Sequence, residues 1–436
     1  MSDFKVNTIT NRDGSYGPQV CGITTFTGSA IQLPSGPSTF RGGRGRGVFA
    51  RGGTPSGGVN TLDFVNIATK GNAVDFGDTK QTARFPASCA SSTRGLIMCG
   101  GGNPAEVTLI EYVTISSSGG AQDFGDLRIA YYSSAGLSNS IRGIIGGGQS
   151  ASSVYNDTMN LVEIATTGNA VDFGNLKVGV NGGSGNVSSS TRGIVSGGYD
   201  NSANTTHINY YIFSSNGGVN DFGELTEGSN DHHGYSNGRR GIFSMGYPSY
   251  SGELTFITIA HTGDASDFGN LSIGSGYATS GGINSPTRAV LHSFESSASP
   301  QMLQTEFVSF DTLGNGQDFG ELSVARNAAS GCSSSTRGLC HGGLTPSLSD
   351  VIDYCTIATL GNFIDFGNLT VSRRSAGCCS TQIRGILAGG AGSPANTNVI
   401  DFTTISTTGN AVDFGDMTYA ARGVNANSDS HGGLAQ

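Results

Sequence analysis

Short apolar runs alternate with glycine- and serine-rich polar stretches along this chain, and the alternation keeps a fixed period. In the last copy, Gly385-Ile386-Leu387-Ala388 reads as a short buried strand closed by Gly389-Gly390. A variable polar stretch follows. Then comes Val399-Ile400-Asp401-Phe402-Thr403-Thr404-Ile405, whose β-branched and aromatic content fits a second strand. Thr408-Gly409-Asn410 supplies a turn, because Gly and Asn accept the positive φ of tight hairpins. Ala411-Val412-Asp413-Phe414-Gly415 begins a third strand, and a serine- and glycine-rich fourth strand leads toward the next copy. No segment shows helical spacing, so the pattern predicts an all-β chain.

Two phrases fix the period. Asp-Phe-Gly has its aspartate at Asp75, Asp123, Asp172, Asp221, Asp267, Asp318, Asp365 and Asp413, at intervals of 46 to 51 residues. An arginine, usually followed by Gly and two apolar residues, stands at Arg46, Arg94, Arg142, Arg192, Arg240, Arg288, Arg337 and Arg384. Glycine returns six positions later in every unit but the sixth, which has Phe294. Units of about 48 residues with four strands are too long for leucine-rich repeats and fit propeller blades. The expectation is an eight-bladed β-propeller over residues 45–436, with units beginning near 46, 94, 142, 192, 240, 288, 337 and 384. The strand-like stretch 423–431 would complete the first blade and leave no free edge. Seven blades, with one unit used elsewhere, is the alternative.

The order of phrases resembles the kelch repeat, most clearly at Ile352-Asp353-Tyr354 and Leu369-Thr370-Val371-Ser372-Arg373; Phe stands where kelch has Trp, and the chain has none. Residues 1–44 do not share the repeat and are too few to bury a core of their own. Residues 4–20 and 22–36, with the repeat wording Thr167-Gly168-Asn169-Ala170-Val171-Asp172-Phe173-Gly174, resemble structural proteins of tailed bacteriophages, particularly cyanophages. That resemblance implies an N-terminal anchor over 1–44 contacting other virion proteins, an outward-facing propeller, and assembly in the host bacterial cytoplasm. A tail-fibre, spike or knob attaching to a host-surface glycan or protein is the leading expectation. A purely architectural subunit is the second and a polysaccharide-acting enzyme the third.

Composition narrows the chemistry. Among 436 residues there are 70 Gly and a net charge of −9, which disfavours phosphate backbones, so no nucleic-acid partner is expected. Arg41-Gly42-Gly43-Arg44-Gly45-Arg46-Gly47 looks like an RNA-binding segment but is one short copy in an acidic chain, and a linker fits better. No apolar run is long enough to span a bilayer, and no secretory signal opens the chain. Eight cysteines, without a CxxC pair or a shared repeat position, read as small buried hydrophobes. Seven scattered histidines form no metal or triad pattern. No cofactor, metal or catalytic residue is therefore assigned, and a non-enzymatic role is expected.

Asp-Phe-Gly is also the magnesium element of protein kinases, but it occurs here eight times without the other kinase motifs. In a blade its Phe would fill the inter-blade core, its Gly permit a bend, and its Asp accept backbone hydrogen bonds. The matched phases of Arg and Asp suggest that each Arg pairs with an Asp of its own or the adjacent blade, against the alternative that the arginines face solvent. Candidate binding positions lie on the loops after the double glycine, at 103–107, 149–157, 199–206, 247–253, 295–304 and 345–350. Tyr199, Asp200, Tyr247, Tyr250, Glu295 and Gln301 are the residues singled out, with the divergent sixth unit (Ala289, Phe294) the first candidate contact surface.

Overall fold

Each unit folds into a four-stranded antiparallel sheet whose second strand is an unbroken apolar run, because that strand is covered on both faces. Blade 2 shows the plan: Ala87–Ala90, Arg94–Met98, Leu109–Thr114 and Gln122–Asp126 pair in that order. The computed structural model describes residues 46–428 apart from 51–52, 55–56, 68, 70, 84–86, 92, 99, 101–106, 118, 132–134, 140, 151–153, 181–184, 190, 231, 247–250, 273–282, 286, 293–301, 335, 381–382 and 423. The N-terminal segment, Cys21, Cys99, Phe294, Tyr247, Tyr250, Glu295 and Gln301 therefore lie outside the described residues. Among the described residues there is no helix, and none long and apolar enough to cross a membrane.

Eight such sheets, the first carrying an added short strand Gly53–Thr54, form an eight-bladed β-propeller. The first strands lie innermost, each beside that of a neighbouring blade, as Gly377–Ser380 lies beside Asn425–Ser428 and Asn425–Ser428 beside Ala87–Ala90. Blade 1 takes its innermost strand from the C-terminal side: Asn425–Ser428 pairs with Arg46–Ala50, Gly47 opposite Ser428. The ring thus closes with eight blades, not seven, by the offset that the phase of the repeats implies. Eight hydrophobic clusters fill it, each bridging two adjacent blades.

The Asp-Phe-Gly strand is each blade's outer edge. Its phenylalanines are all buried, and its aspartates are all exposed. Asp75, Asp172 and Asp365 each accept the N–H of the glycine two residues on. That glycine sits at a bulge where the third and fourth strands lose register. Gly367 has φ 139°, and a Cβ there would come within 2.6 Å of the backbone of Gly409 and Asn410 in the next blade. The close approach lets the next blade's turn bond to this edge. At seven of the eight junctions a turn glycine N–H donates to the edge phenylalanine carbonyl, at 2.7–3.0 Å. Edges that could template aggregation are covered by the ring itself.

The repeat arginines do not pair with the Asp-Phe-Gly aspartates, nor do they simply face solvent. All eight are half-buried, and each Nη1 donates to a carbonyl just past the third strand of the next blade, at 2.5–3.2 Å. Seven guanidinium groups also lie 4.4–4.8 Å over an aromatic ring of their own blade. In blade 3 the ring position is Leu161, and Arg142 pairs with Glu163 at 2.6 Å instead. A planar cation between a ring and a carbonyl keeps its charge without a carboxylate.

Nor are the cysteines scattered. Cys89, Cys332 and Cys379 occupy the same register position, opposite Leu96, Leu339 and Ile386. Each points at the glycine of the Arg-Gly phrase in the following blade: a Cβ on Gly143, Gly385 or Gly47 would meet its Sγ at 2.5–2.9 Å. All three stand five residues before the repeat arginine, where other units carry Leu137, Val187, Tyr235 and Ile283, and blade 1 carries Asn427.

Candidate functional site

Antiparallel pairing sorts the connections onto two faces. The turns between strands one and two and between three and four share the turn face. The double-glycine loops and the connections between blades share the loop face. The turn face is nearly uniform. A Ser or Asn side chain three residues before the arginine accepts the N–H groups of the two residues leading into the second strand, as Ser189 does from Thr191 and Arg192 at 3.2 and 3.0 Å. Asn139, Asn237, Ser285 and Ser334 repeat the arrangement.

The loop face differs from blade to blade. Tyr155 and Tyr199, on the loops of blades 3 and 4, meet edge to face with centroids 5.7 Å apart, both half-buried. Their loops close on backbone bridges, Gln149 with Tyr155 and Tyr199 with Asn204. Val154 beside them is 60% exposed. Asp200 accepts the N–H of Ala203 and Ser202 and the Ser202 hydroxyl, and these bonds hold its carboxyl below the usual carboxylate range. Of the residues singled out from sequence, the described ones, Tyr199 and Asp200, are thus adjacent on one loop. Tyr155 was missed, since one tyrosine in a variable loop carries no periodic signal.

Beneath this face lies a ring of buried polar side chains that the motif reading also passed over. Asp63, Glu111, Asn160, Asn209, Thr255, Glu306, Asp353 and Asp401 hold one register position in the third strands. All but Thr255 accept the N–H of the residue three past the preceding blade's Asp-Phe-Gly glycine, as Asp401 does from Thr370 at 3.1 Å. Five acids in the middle of apolar strands, always just before the ring position, were the available signal. Two of them meet arginines from the edge-strand side of the blade before, Arg326 at the end of its strand and Arg373 beyond its own: Arg326–Asp353 and Arg373–Asp401, each 2.8 Å apart and essentially unexposed. Burial pushes Asp401 up and Arg373 down in spite of their attraction. Asp63 has no such partner among the described residues, and burial raises it against the bonds from Thr418.

Of the three buried histidines among the described residues, His232, His292 and His341, two have shifted titration. His232 takes the Gly185 N–H at 3.0 Å and meets the Ser196 hydroxyl at 2.9 Å, and burial lowers its pKa to about 3. Burial lowers His341 to about 4, with Arg326 and Arg373 adding to the effect. Both are neutral supports at physiological pH. Among the described residues no group of three or more His, Cys, Asp or Glu is placed to hold a metal ion. The loop face offers aromatic edges, amides, hydroxyls and one well-held carboxylate, a set suited to recognising polar surfaces.

No protein-family model matches the chain, and no curated protein matches it. Among solved structures it is similar to one titled "Structure of YjhT", at 13% identity and a TM-score of 0.46, over 65% of this chain and 98% of that one. A likeness of that order carries no functional argument.

Proposed function

We propose that this chain is a non-enzymatic component of a bacteriophage virion, a tail-fibre, spike or knob subunit whose propeller attaches the particle to its host. The observation that carries the reading is the division between the two faces: one set of turns repeated around the ring, and one set of loops that differ in every described blade. A rigid frame presenting variable loops is how many scaffolds separate stability from recognition. The virion setting comes from the likeness of residues 4–20 and 22–36 to tailed-phage structural proteins. In this reading residues 1–44 contact other virion proteins, the loop face contacts a host-surface glycan or protein, and the particle assembles in the host cytoplasm.

The architectural alternative has its own support. Ile141, Leu313, Leu360 and Ile383 stand 58–64% exposed on turn-face tips, where a neighbouring virion protein would cover them. Immunogold labelling of the encoding phage with antibody to the full chain, together with binding of labelled full chain to host cells, separates the readings. Label on the particle with cell binding supports attachment. Label without cell binding supports architecture, and unlabelled particles contradict both.

A further inference from the structure

The innermost strands of neighbouring blades meet at two register positions. One is the position opposite the second residue after the Arg-Gly arginine, which points at the following blade. The other lies one residue earlier on the strand of that following blade. At the junction of blades 4 and 5 these are Val187 and Gly234, and a Cβ on Gly234 would come within 2.7 Å of Val187 Cγ1. Residues there touch whatever they are. At the junction of blades 7 and 8 the same positions are Cys332 and Cys378, opposite Leu339 and Leu387. Both join the hydrophobic cluster that bridges those blades, and both keep partial exposure. Their strands, Ser330–Ser333 and Gly377–Ser380, lie side by side. Cys379 faces the other way, into the cluster between blades 8 and 1. Among the other junctions whose two positions are described, none has cysteine at both.

We propose that Cys332 and Cys378 are a redox-modification site, a cross-blade dithiol that closes to a disulfide when a small-molecule disulfide becomes available. The thiolate of one cysteine attacks the small disulfide, forming a mixed disulfide and expelling one thiolate. The thiolate of the second cysteine then attacks the protein-bound sulfur and releases the other small thiolate. Two protein thiols are oxidised, one small disulfide is reduced to two thiols, and the two protons pass to the departing thiolates. A hydrogen bond with Cys378, with burial second, raises the Cys332 thiol well above its ordinary value, so closure quickens as pH rises. In the reducing interior of a cell the pair stays open; outside, it locks the two blades next to the seam where the ring closes.

The test incubates the reduced full chain with oxidised glutathione, alkylates free thiols, and maps peptides without reduction. Wild type and Cys379→Ser are expected to give one linked peptide pair joining Cys332 to Cys378, and Cys378→Ser none. The linked form should melt roughly 3–8 °C higher, since the closed loop spans most of a blade. Separate glutathione adducts on Cys332 and Cys378 without a cross-link overturn the proposal, as does a cross-link that survives Cys378→Ser through Cys379. Should Cys378→Ser fold poorly, Cys378→Ala serves in its place, because Ala426 holds the matching position in blade 1.

Discussion

The two faces of this propeller place arginine in opposite ways. On the turn face eight arginines are half-buried and spend their charge on neutral carbonyls and ring faces, in one geometry repeated around the ring. Toward the loop face two arginines are fully buried against aspartates, and among the described residues this happens only in the junctions of blades 6 with 7 and 7 with 8. The turn face must repeat because each turn is also the cover of its neighbour's edge. The loop face has no such duty and can differ from blade to blade. Uniformity marks where blades hold one another, and individuality marks where the molecule is free to recognise something else.

Breaking the comparison at its strongest point means removing one member of a buried pair. Arg373→Met leaves Asp401 without its cation and should cost about 3–5 kcal/mol in urea unfolding, and adding Asp401→Asn should return much of that loss. On the turn face, Arg192→Met removes one charged hydrogen bond to Ile259 and the stacking on Tyr210, and strands no carboxylate. Its expected cost is about 2–3 kcal/mol. No rescue is expected from also changing Asp221, the Asp-Phe-Gly aspartate of the same blade. A rescue would restore the Arg–Asp pairing that the matched phases suggested.

Acid sharpens the contrast next. His232 and His341 are held neutral with pKa values of about 3 and about 4, below the ordinary 6.5. The unfolded chain therefore binds more protons than the folded one as pH falls below about 6.5, and stability is lost with acidification. Moving from pH 7 to pH 5 should cost about 2 kcal/mol for each such histidine. His232→Gln should flatten the profile, while Arg192→Met should leave its shape unchanged.

Asp63 works in the opposite sense. Its carboxyl is raised in the folded state, so its contribution is most favourable below about 3.8 and declines as pH rises through its folded value. Asp63→Asn should gain roughly 1–2 °C in Tm at neutral pH and nothing at pH 3. Asn160 and Asn209 already hold the same position and accept the same kind of backbone N–H. The smallest effect belongs to the turn face's own exception: Glu163→Gln, which frees Arg142 from a partly exposed ion pair, should cost no more than about 1 kcal/mol.

The repeat made the architecture legible before any coordinate. The phases of Asp-Phe-Gly and Arg-Gly counted the blades, and the offset of the chain ends foretold a first blade completed by Asn425–Ser428. Spacing along the chain could not give partners across it. Arg192 and Asp221 share a period, yet the arginine reaches a carbonyl one blade further on while the aspartate stays in solvent. Cys89, Cys332 and Cys379 each stand five residues before a repeat arginine, a spacing already present in the sequence, and strand register shows what it means by placing all three at one position of the innermost strand. Tyr155 and Tyr199 meet because two loops of unlike sequence lie side by side, which no repeat encodes.

Hydrogen–deuterium exchange of the full chain, with and without envelopes of the host bacterium, tests the division between frame and reading face most directly. Protection confined to the double-glycine loops, the Tyr155 and Tyr199 segments among them, is the result this account predicts. Protection of the Thr-Gly-Asn and Ser-x-Thr-Arg turns, with the loops unchanged, would contradict it.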